Sequence, residues 1–366
     1  MVPMRRRSLL LCLAVLYAAG AACQDLPLQT LRLAPGFTIE TYARVPGARS
    51  LALGPEGVVF VGTRNEGKVY ALVNRQVRTV AGGLRWPNGV AYRGGALFVA
   101  ERSRILRFDG IDAWLRGDGG APAPAPTVVF DALPNESGHG WKFLRFGPDG
   151  KLYFGIGAPC NVCLRDDPFA TLARIDPGKG GLEIVARGIR NTVGFDWHPV
   201  TRELWLTENG ADQLGDDVPS DELNRVTAVG QHFGYPFCHE GTVADPSFGK
   251  RRPCSAFVPP AHRFGAHVAA LGMRFTTGAS VPEPLRGKIV VAEHGSWNRS
   301  EPVGYRVVLV DPAGKAPETP LVSGWLRGDR AWGRPVDVEL LPDGSLLVSD
   351  DEAGVIYRVR FTGKRD

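Results

Sequence analysis

The sequence predicts an all-β fold, a six-bladed β-propeller whose ring is closed by an N-terminal strand. Three observations predict it. A strand-turn-strand pattern recurs in six copies between residues 51 and 359. Within each copy, apolar residues alternate with period two around a Pro-Asp-Gly-like turn. A strand-like segment at 36–43 stands ahead of the first copy with no partner of its own.

The copies follow in order: 51–61 with 68–72, 89–101 with 104–107, and 143–154 with 172–175. They continue with 194–208 and 222–226, then 272–275 through 288–293 with 305–309, and end with 336–349 and 355–359. Gly, Pro and Asp separate the apolar runs and no copy carries a long amphipathic helical pattern, so each copy reads as β-hairpins. Hairpin repeats of roughly 40 to 80 residues are the material of propeller blades. Segment 36–43 is expected to pair beside 355–361, which closes the ring and removes two exposed sheet edges. The propeller domain is expected to span 36–361, with the Pro- and Ala-rich stretch 119–126 as a linker between blades.

The first residues read as an export signal. Arg5, Arg6 and Arg7 precede an apolar run from Leu9 to Ala19 that ends in small residues, which predicts a signal peptide over 1–22. That run is about half of the ~20 residues a membrane span needs, and no later stretch qualifies, so no membrane span is expected. The chain is therefore expected in the periplasm or outside the cell. A lipid anchor on Cys23 is the alternative, opposed by Gly20 at the position where lipoprotein signals usually carry a branched aliphatic.

Cys160, Cys163, Cys238 and Cys254 remain in the body of the chain, and export favours two disulfides among them. Neighbours in sequence are the natural pairs. The other connectivities, and a zinc site on Cys160-Asn161-Val162-Cys163, stay open on spacing alone. Net charge is +5, with no basic run beyond the signal, so nucleic-acid binding is not expected.

Propellers gather function in the loops at one mouth of the ring, and function must be read from those loops. Here they are rich in His, Arg, Asn and Trp: Gly138-His139-Gly140-Trp141, Arg190-Asn191, 208–212 and 293–299. Together with Gly188-Ile-Arg-Asn191, 194–199, Asp221-Glu-Leu-Asn224 and Phe233-Gly-Tyr-Pro236, they make the chain resemble the glucose/sorbosone dehydrogenase family, above all its sorbosone-dehydrogenase-like branch. That family consists of six-bladed propellers that use pyrroloquinoline quinone with calcium.

The resemblance implies an oxidoreductase that takes a hydride from a CH–OH carbon of an aldose, pyranose or related sugar. His139 is then the base for the hydroxyl proton, a role that suits imidazole's pKa of ~6.5. Arg190 and Asn191 match the pair that faces the quinone carbonyls, and Arg334 matches an arginine that holds a cofactor carboxylate. Arg299 takes the place of a cationic residue supplied from the fifth blade. Calcium is expected on the backbone carbonyls of Gly210 and Ala211, with cofactor oxygens completing its shell. No histidine follows Cys163, so a c-type haem is not expected and electrons must pass to a separate diffusible or protein acceptor.

Two departures stand out. Gly138 occupies a position where glucose-oxidising relatives carry an acid, and Val336 replaces a second arginine. Trp141, Trp297 and Tyr235 are candidate sugar-stacking surfaces. His294 is the next candidate base, while His198, His232, His239, His262 and His267 read as structural. The acidic stretch Asp216, Asp217, Asp221 and Glu222 reads as a solvated turn, with a second calcium site as the sharper alternative. The alternative functions are a calcium-dependent hydrolase or lactonase, and a binding propeller without catalysis.

Overall fold

The computed structural model describes residues 26–363, so the predicted signal peptide and Cys23 lie outside the described residues. Six antiparallel sheets form the blades. Blade 1 is Leu51–Leu53, Val59–Val61, Val69–Val73 and Gln76–Ala81; blade 2 is Gly89–Arg93, Ala96–Ala100, Ile105–Phe108 and Thr127–Phe130. Blade 3 is Leu144–Phe146, Leu152–Ile156, Thr171–Asp176 and Gly180–Arg187, extended by Gln231–His232. Blade 4 is Phe195–Trp197, Leu204–Glu208, Ser220–Val226 and His262–Ala266. Ala270–Phe275, Ile289–Glu293, Arg306–Val310 and Thr319–Ser323 make blade 5. Pro335–Leu340, Leu346–Asp350 and Val355–Phe361 make blade 6, completed by Phe37–Arg44.

The six predicted hairpin copies therefore supply the three inner strands of each blade. Second strands such as Ala96–Ala100, Leu152–Ile156 and Leu346–Asp350 are buried at every position because neighbouring blades cover both of their faces. That is why they read as continuous apolar runs. Outer strands such as Gln76–Ala81 face solvent and carry the polar residues.

Closure follows the expected register, with Phe37 opposite Phe361 and Arg44 opposite Val355. Just ahead of it, Arg32 and Leu33 pair with Ser323 and Val322 of blade 5, so the start of the described chain staples two neighbouring blades. The outer edges of Thr319–Ser323 and Val355–Phe361 are thereby covered.

The stretch 119–126 departs from expectation. It lies within blade 2, between a short helix, Ile111–Arg116, and the outer strand Thr127–Phe130. Trp114 Nε1 donates to Ala121 O at 2.8 Å, and Arg78 of blade 1 donates to Leu115 O and Gly117 O, which fasten this excursion to the neighbouring blade. The fourth strand of blade 2 lies beyond the prolines, a detail the three-strand repeat does not reveal.

Both disulfides join sequence neighbours, Cys160 to Cys163 and Cys238 to Cys254. This resolves the open connectivity and removes the zinc reading. Cys238–Cys254 closes the excursion of blade 4 over Phe237, Phe248 and Phe257. Cys160–Cys163 sits between the second and third strands of blade 3 and points toward the ring mouth.

Candidate active site

Segments running from blade 1 around to blade 6 enclose a cavity of about 320 Å³, within the ~300–1,000 Å³ typical of small-molecule sites. Leu271 and Trp141 give it an apolar lining, and both pack against the buried Val193 and Val336 behind them. Its walls carry Arg49, Arg64, His139, Arg190, Asn191, Gly210, His294 and Arg334 among others. Most of the residues singled out from the sequence therefore meet in one place. Val336, expected at the place of a second arginine, is buried in the apolar cluster behind that lining.

His139 adopts a left-handed backbone conformation, φ 45°, which non-glycine residues reach only with strain. The conformation is held by its neighbours. Nδ1 lies 2.6 Å from Ala158 O, and because a carbonyl only accepts, Nδ1 carries the proton and Nε2 keeps its lone pair. Burial pushes the imidazole pKa down to about 4, with the Arg190 charge adding to the effect, so the ring is neutral at pH 7. Gly157 makes room for it, since a Cβ there would stand 2.4 Å from His139 Cβ. A Cβ at Gly138 would stand 2.2 Å from Pro159 O, so the backbone here leaves no room for a side chain before the histidine.

Arg190 is held from several sides. Nη2 pairs with Asp212 Oδ2 at 2.6 Å and with Asn161 Oδ1 at 2.9 Å; Nε donates to Asn161 O at 2.9 Å and Nη1 to Asn209 O at 3.3 Å. Its backbone N–H donates to the buried Glu208 at 2.7 Å. The guanidinium is thus a positioned, largely neutralised group. Asn191 donates to Asn209 Oδ1 at 3.2 Å on the same wall.

Asn161 belongs to the Cys160–Cys163 loop and is the centre of this grip. Its Oδ1 also accepts from Asp212 N at 2.8 Å, and its Nδ2 donates to Asp212 O at 2.8 Å. Tyr235 is buried beneath the loop, its hydroxyl accepting from Cys163 N at 2.9 Å and donating to Asn161 O at 3.3 Å. Tyr235 is therefore a loop support and offers no face to a sugar. Trp297, by contrast, is 67% exposed at the rim, and Trp141 lines the wall.

Gly210 lines the cavity and its N–H donates to Asp221 Oδ1 at 2.8 Å, while Ala211 is wholly buried behind it. Asp221 Oδ2 accepts from Ala269 N at 2.6 Å, so one buried carboxyl fixes two backbone segments of the wall; burial pushes its pKa up to about 6. Asp216 and Asp217 instead engage Ser300 and Arg299, and Glu222 accepts from Asn224. Among the described residues, no group of three or more His, Cys, Asp or Glu side chains is placed to hold a metal ion. The acidic stretch is thus divided among separate structural tasks.

Arg334 reaches the cavity from blade 6, with Nε donating to His294 O at 3.1 Å and Nη2 to Gly295 O. Arg299 does not reach it. Its guanidinium bonds to Asp216 O and the Asp217 carboxylate beside a separate surface cleft, because residues 216–217 fold across its path. His294 Nε2 is bound to Asp351 Oδ1 at 2.8 Å, and Asp351 also pairs with Arg49, so His294 belongs to a buried ion network. His239 pairs with Asp245 at 2.9 Å and His262 with Glu318 at 3.2 Å, away from the cavity, whereas His267, expected to be structural, bonds Gly215 O at 2.8 Å and also lines the cavity. Sequence reasoning missed Arg49, Arg64, Gly157 and Asn161. Arg64 lies in the polar turn between 61 and 68, which carried no motif, and the one signal for Asn161 was its place between two cysteines.

Ring and cavity define a six-bladed propeller with its polar chemistry collected at one mouth of the axis. Residues 116–295 match the glucose/sorbosone dehydrogenase family and residues 243–362 the TrAA12-like family. The chain belongs to the glucose/sorbosone dehydrogenase family. An uncharacterised protein of Borreliella burgdorferi is 31% identical over 345 residues, covering 91% of each chain. The holo pyranose dehydrogenase PQQ domain from Coprinopsis cinerea superposes with a TM-score of 0.74 at 18% identity, over 90% of this chain and 97% of that one. A calcium structure of Trichoderma reesei carbohydrate-active enzyme family AA12 gives 0.74 at 19% identity, over 93% and 99%. At such identities the two structures share the fold.

Proposed function

We propose that the protein is an exported, quinone-dependent sugar dehydrogenase, with pyrroloquinoline quinone and calcium held in the axial cavity. The observation that carries this reading is His139: a partly buried, neutral imidazole, its Nδ1 tied to a carbonyl and its Nε2 lone pair kept, in the wall of a cavity lined by four arginines. The donor set fits a planar tricarboxylate. Among the described residues, Arg64 Nε and Trp141 Nε1 are buried N–H groups without a partner, Asn298 Oδ1 is a buried acceptor in the same state, and all three residues line this cavity. Arg334, with two donors tied to carbonyls, leaves Nη1 for a further acceptor. Calcium would rest on the carbonyls of Gly210 and Ala211.

When bound, the quinone supplies the acceptor for the hydride from the sugar carbon. The protein does the rest. His139 Nε2 takes the hydroxyl proton as the C–H bond breaks, so the carbinol becomes a carbonyl, or a hemiacetal a lactone. Arg190, immobilised by Asp212 and Asn161, and Asn191 present fixed donors where negative charge grows, which costs little reorganisation. Leu271 and Trp141, backed by buried valines, keep water from one side, and Trp297 at the rim offers a flat face to the sugar ring. Electrons then pass to a diffusible or protein acceptor.

The test is reconstitution: purified protein, pyrroloquinoline quinone, calcium and a panel of aldoses, with dye reduction as readout. Turnover that requires quinone and sugar together supports the reading. Failure to bind quinone contradicts it.

A further inference from the structure

Four arginines line the cavity, and three of them are tied to protein acceptors. Arg49 bonds Asn88 and Asp351, Arg190 bonds Asn161, Asn209 and Asp212, and Arg334 bonds the carbonyls of His294 and Gly295. Arg64 differs. Its guanidinium carbon lies 4.0 Å from the centre of the Trp141 ring and 5.1 Å from that of Trp86, and its buried Nε has no hydrogen-bond partner among the described residues. Trp141 Nε1, buried and equally without a partner, belongs to the same wall.

Stacking on indoles satisfies the faces of a guanidinium and leaves the N–H groups at its edge, the part that matches a two-oxygen acceptor. Asp351, the carboxylate whose charge reaches Arg64, is already shared between Arg49 and His294, and among the described residues no ion pair to Arg64 forms. Burial and the neighbouring Arg49 charge both disfavour the Arg64 cation, so an anion arriving there relieves an electrostatic cost. Arg102 also stacks on Trp86, at 5.0 Å, and so fixes the plate against which Arg64 rests.

We infer that Arg64, laid against Trp141 and Trp86, is a carboxylate-binding residue of the cavity, with Trp141 Nε1 as a second donor. Two sources bring a carboxylate here: the quinone, in which case the inference rests on the dehydrogenase reading, and an acidic sugar such as a uronate. In the first case Arg64 takes over from the arginine that Val336 replaces. In the second it selects acidic over neutral sugars.

Calorimetric titration of the calcium-loaded protein with pyrroloquinoline quinone, glucuronate and glucose separates the cases. Arg64→Gln is expected to raise the Kd of one carboxylate ligand at least about tenfold, the effect of losing a charge-assisted hydrogen bond. A rise for the quinone identifies the cofactor as the source. A rise for glucuronate with glucose unchanged identifies the sugar. Arg64→Lys keeps the charge and the stem on the indole, so a Kd between wild type and Arg64→Gln separates a lost fork from a lost fold. If wild-type protein binds no quinone, the dehydrogenase reading fails and the glucuronate titration alone decides the role of Arg64. Quinone and glucuronate Kd values both within twofold of wild type in Arg64→Gln would overturn the inference.

Discussion

Arg190 and Asp212 form a 2.6 Å ion pair that Asn161 grips from both ends, and Asn161 is fixed in turn by the Cys160–Cys163 disulfide. The central arginine of the site is thus anchored by a four-residue covalent loop. Arg190→Ala would leave Asp212 without its partner in a setting where the arginine side chain is only 4% exposed. The expected stability loss is on the order of 3 kcal/mol, far above the ~0.5 kcal/mol of a solvated loop residue. Denaturant unfolding measures it, and quinone affinity should fall in the same variant. A stability within ~0.5 kcal/mol of wild type would show the pair to be ornamental.

Asn161→Ala isolates the positioning role. It leaves the Arg190–Asp212 pair but removes two side-chain bonds to it and one to the Asp212 carbonyl. Turnover at saturating quinone should drop roughly tenfold, the cost of about one charge-assisted hydrogen bond's worth of orientation. Reduction of Cys160–Cys163 should produce the same change, and reoxidation should reverse it.

The fold was legible because the repeat is local. Alternating strands and their turns lie next to each other in sequence, so all six hairpin sets and the closing strand could be read directly. The site was legible only where a residue stood in a distinctive loop, as His139 and Arg334 do. Arg64, Gly157 and Asn161 act through neighbours brought together across the ring: Trp141 is far from Arg64 in sequence, and the space that Gly157 yields belongs to His139. Arg299 had the right composition around it and the wrong direction, which only the fold of residues 216–217 decides.

Gly138 offers a steric test. Gly138→Asp would place an acid directly before His139, but its Cβ would meet the Pro159 carbonyl at 2.2 Å. Because Pro159 adjoins the Cys160–Cys163 loop, the backbone has little freedom to retreat. The variant should lose about 1–3 kcal/mol and bind sugar no better, read from thermal unfolding and KM. Wild-type stability with a lower KM would mean that the two chains are easily parted.

His139 gives a pH signature. Its folded pKa is depressed to about 4 while the unfolded value stays near 6.5. The unfolded state therefore binds more protons between those values, and His139's contribution to stability, complete above pH ~6.5, is lost as pH falls through about 4. In the quinone-free protein its ring NMR signals should remain those of the neutral form at pH 5.5, with Nδ1 protonated. Loading with the anionic quinone should move the midpoint upward, since a nearby negative charge favours imidazolium. A midpoint near 6.5 without quinone would place His139 in solvent.

Cys238–Cys254 closes a loop with a sequence separation of 16 residues, for which the loop-entropy estimate is ~3 kcal/mol of stabilisation. Replacing both cysteines by serine should lower stability by about that amount while leaving the quinone Kd unchanged, because the pair lies away from the cavity wall. Calcium should behave in the opposite way: chelation should abolish turnover, and calcium added back with quinone should restore it.

The most direct measurement of the central claim compares wild type with His139→Gln, both saturated with quinone and calcium, in sugar-dependent dye reduction beside a quinone titration. If Nε2 takes the hydroxyl proton in the transition state, His139→Gln should turn over roughly 10² to 10⁴-fold more slowly with a nearly unchanged quinone Kd. A His139→Gln protein that reduces dye at close to the wild-type rate would contradict the account and pass the role of base to another group.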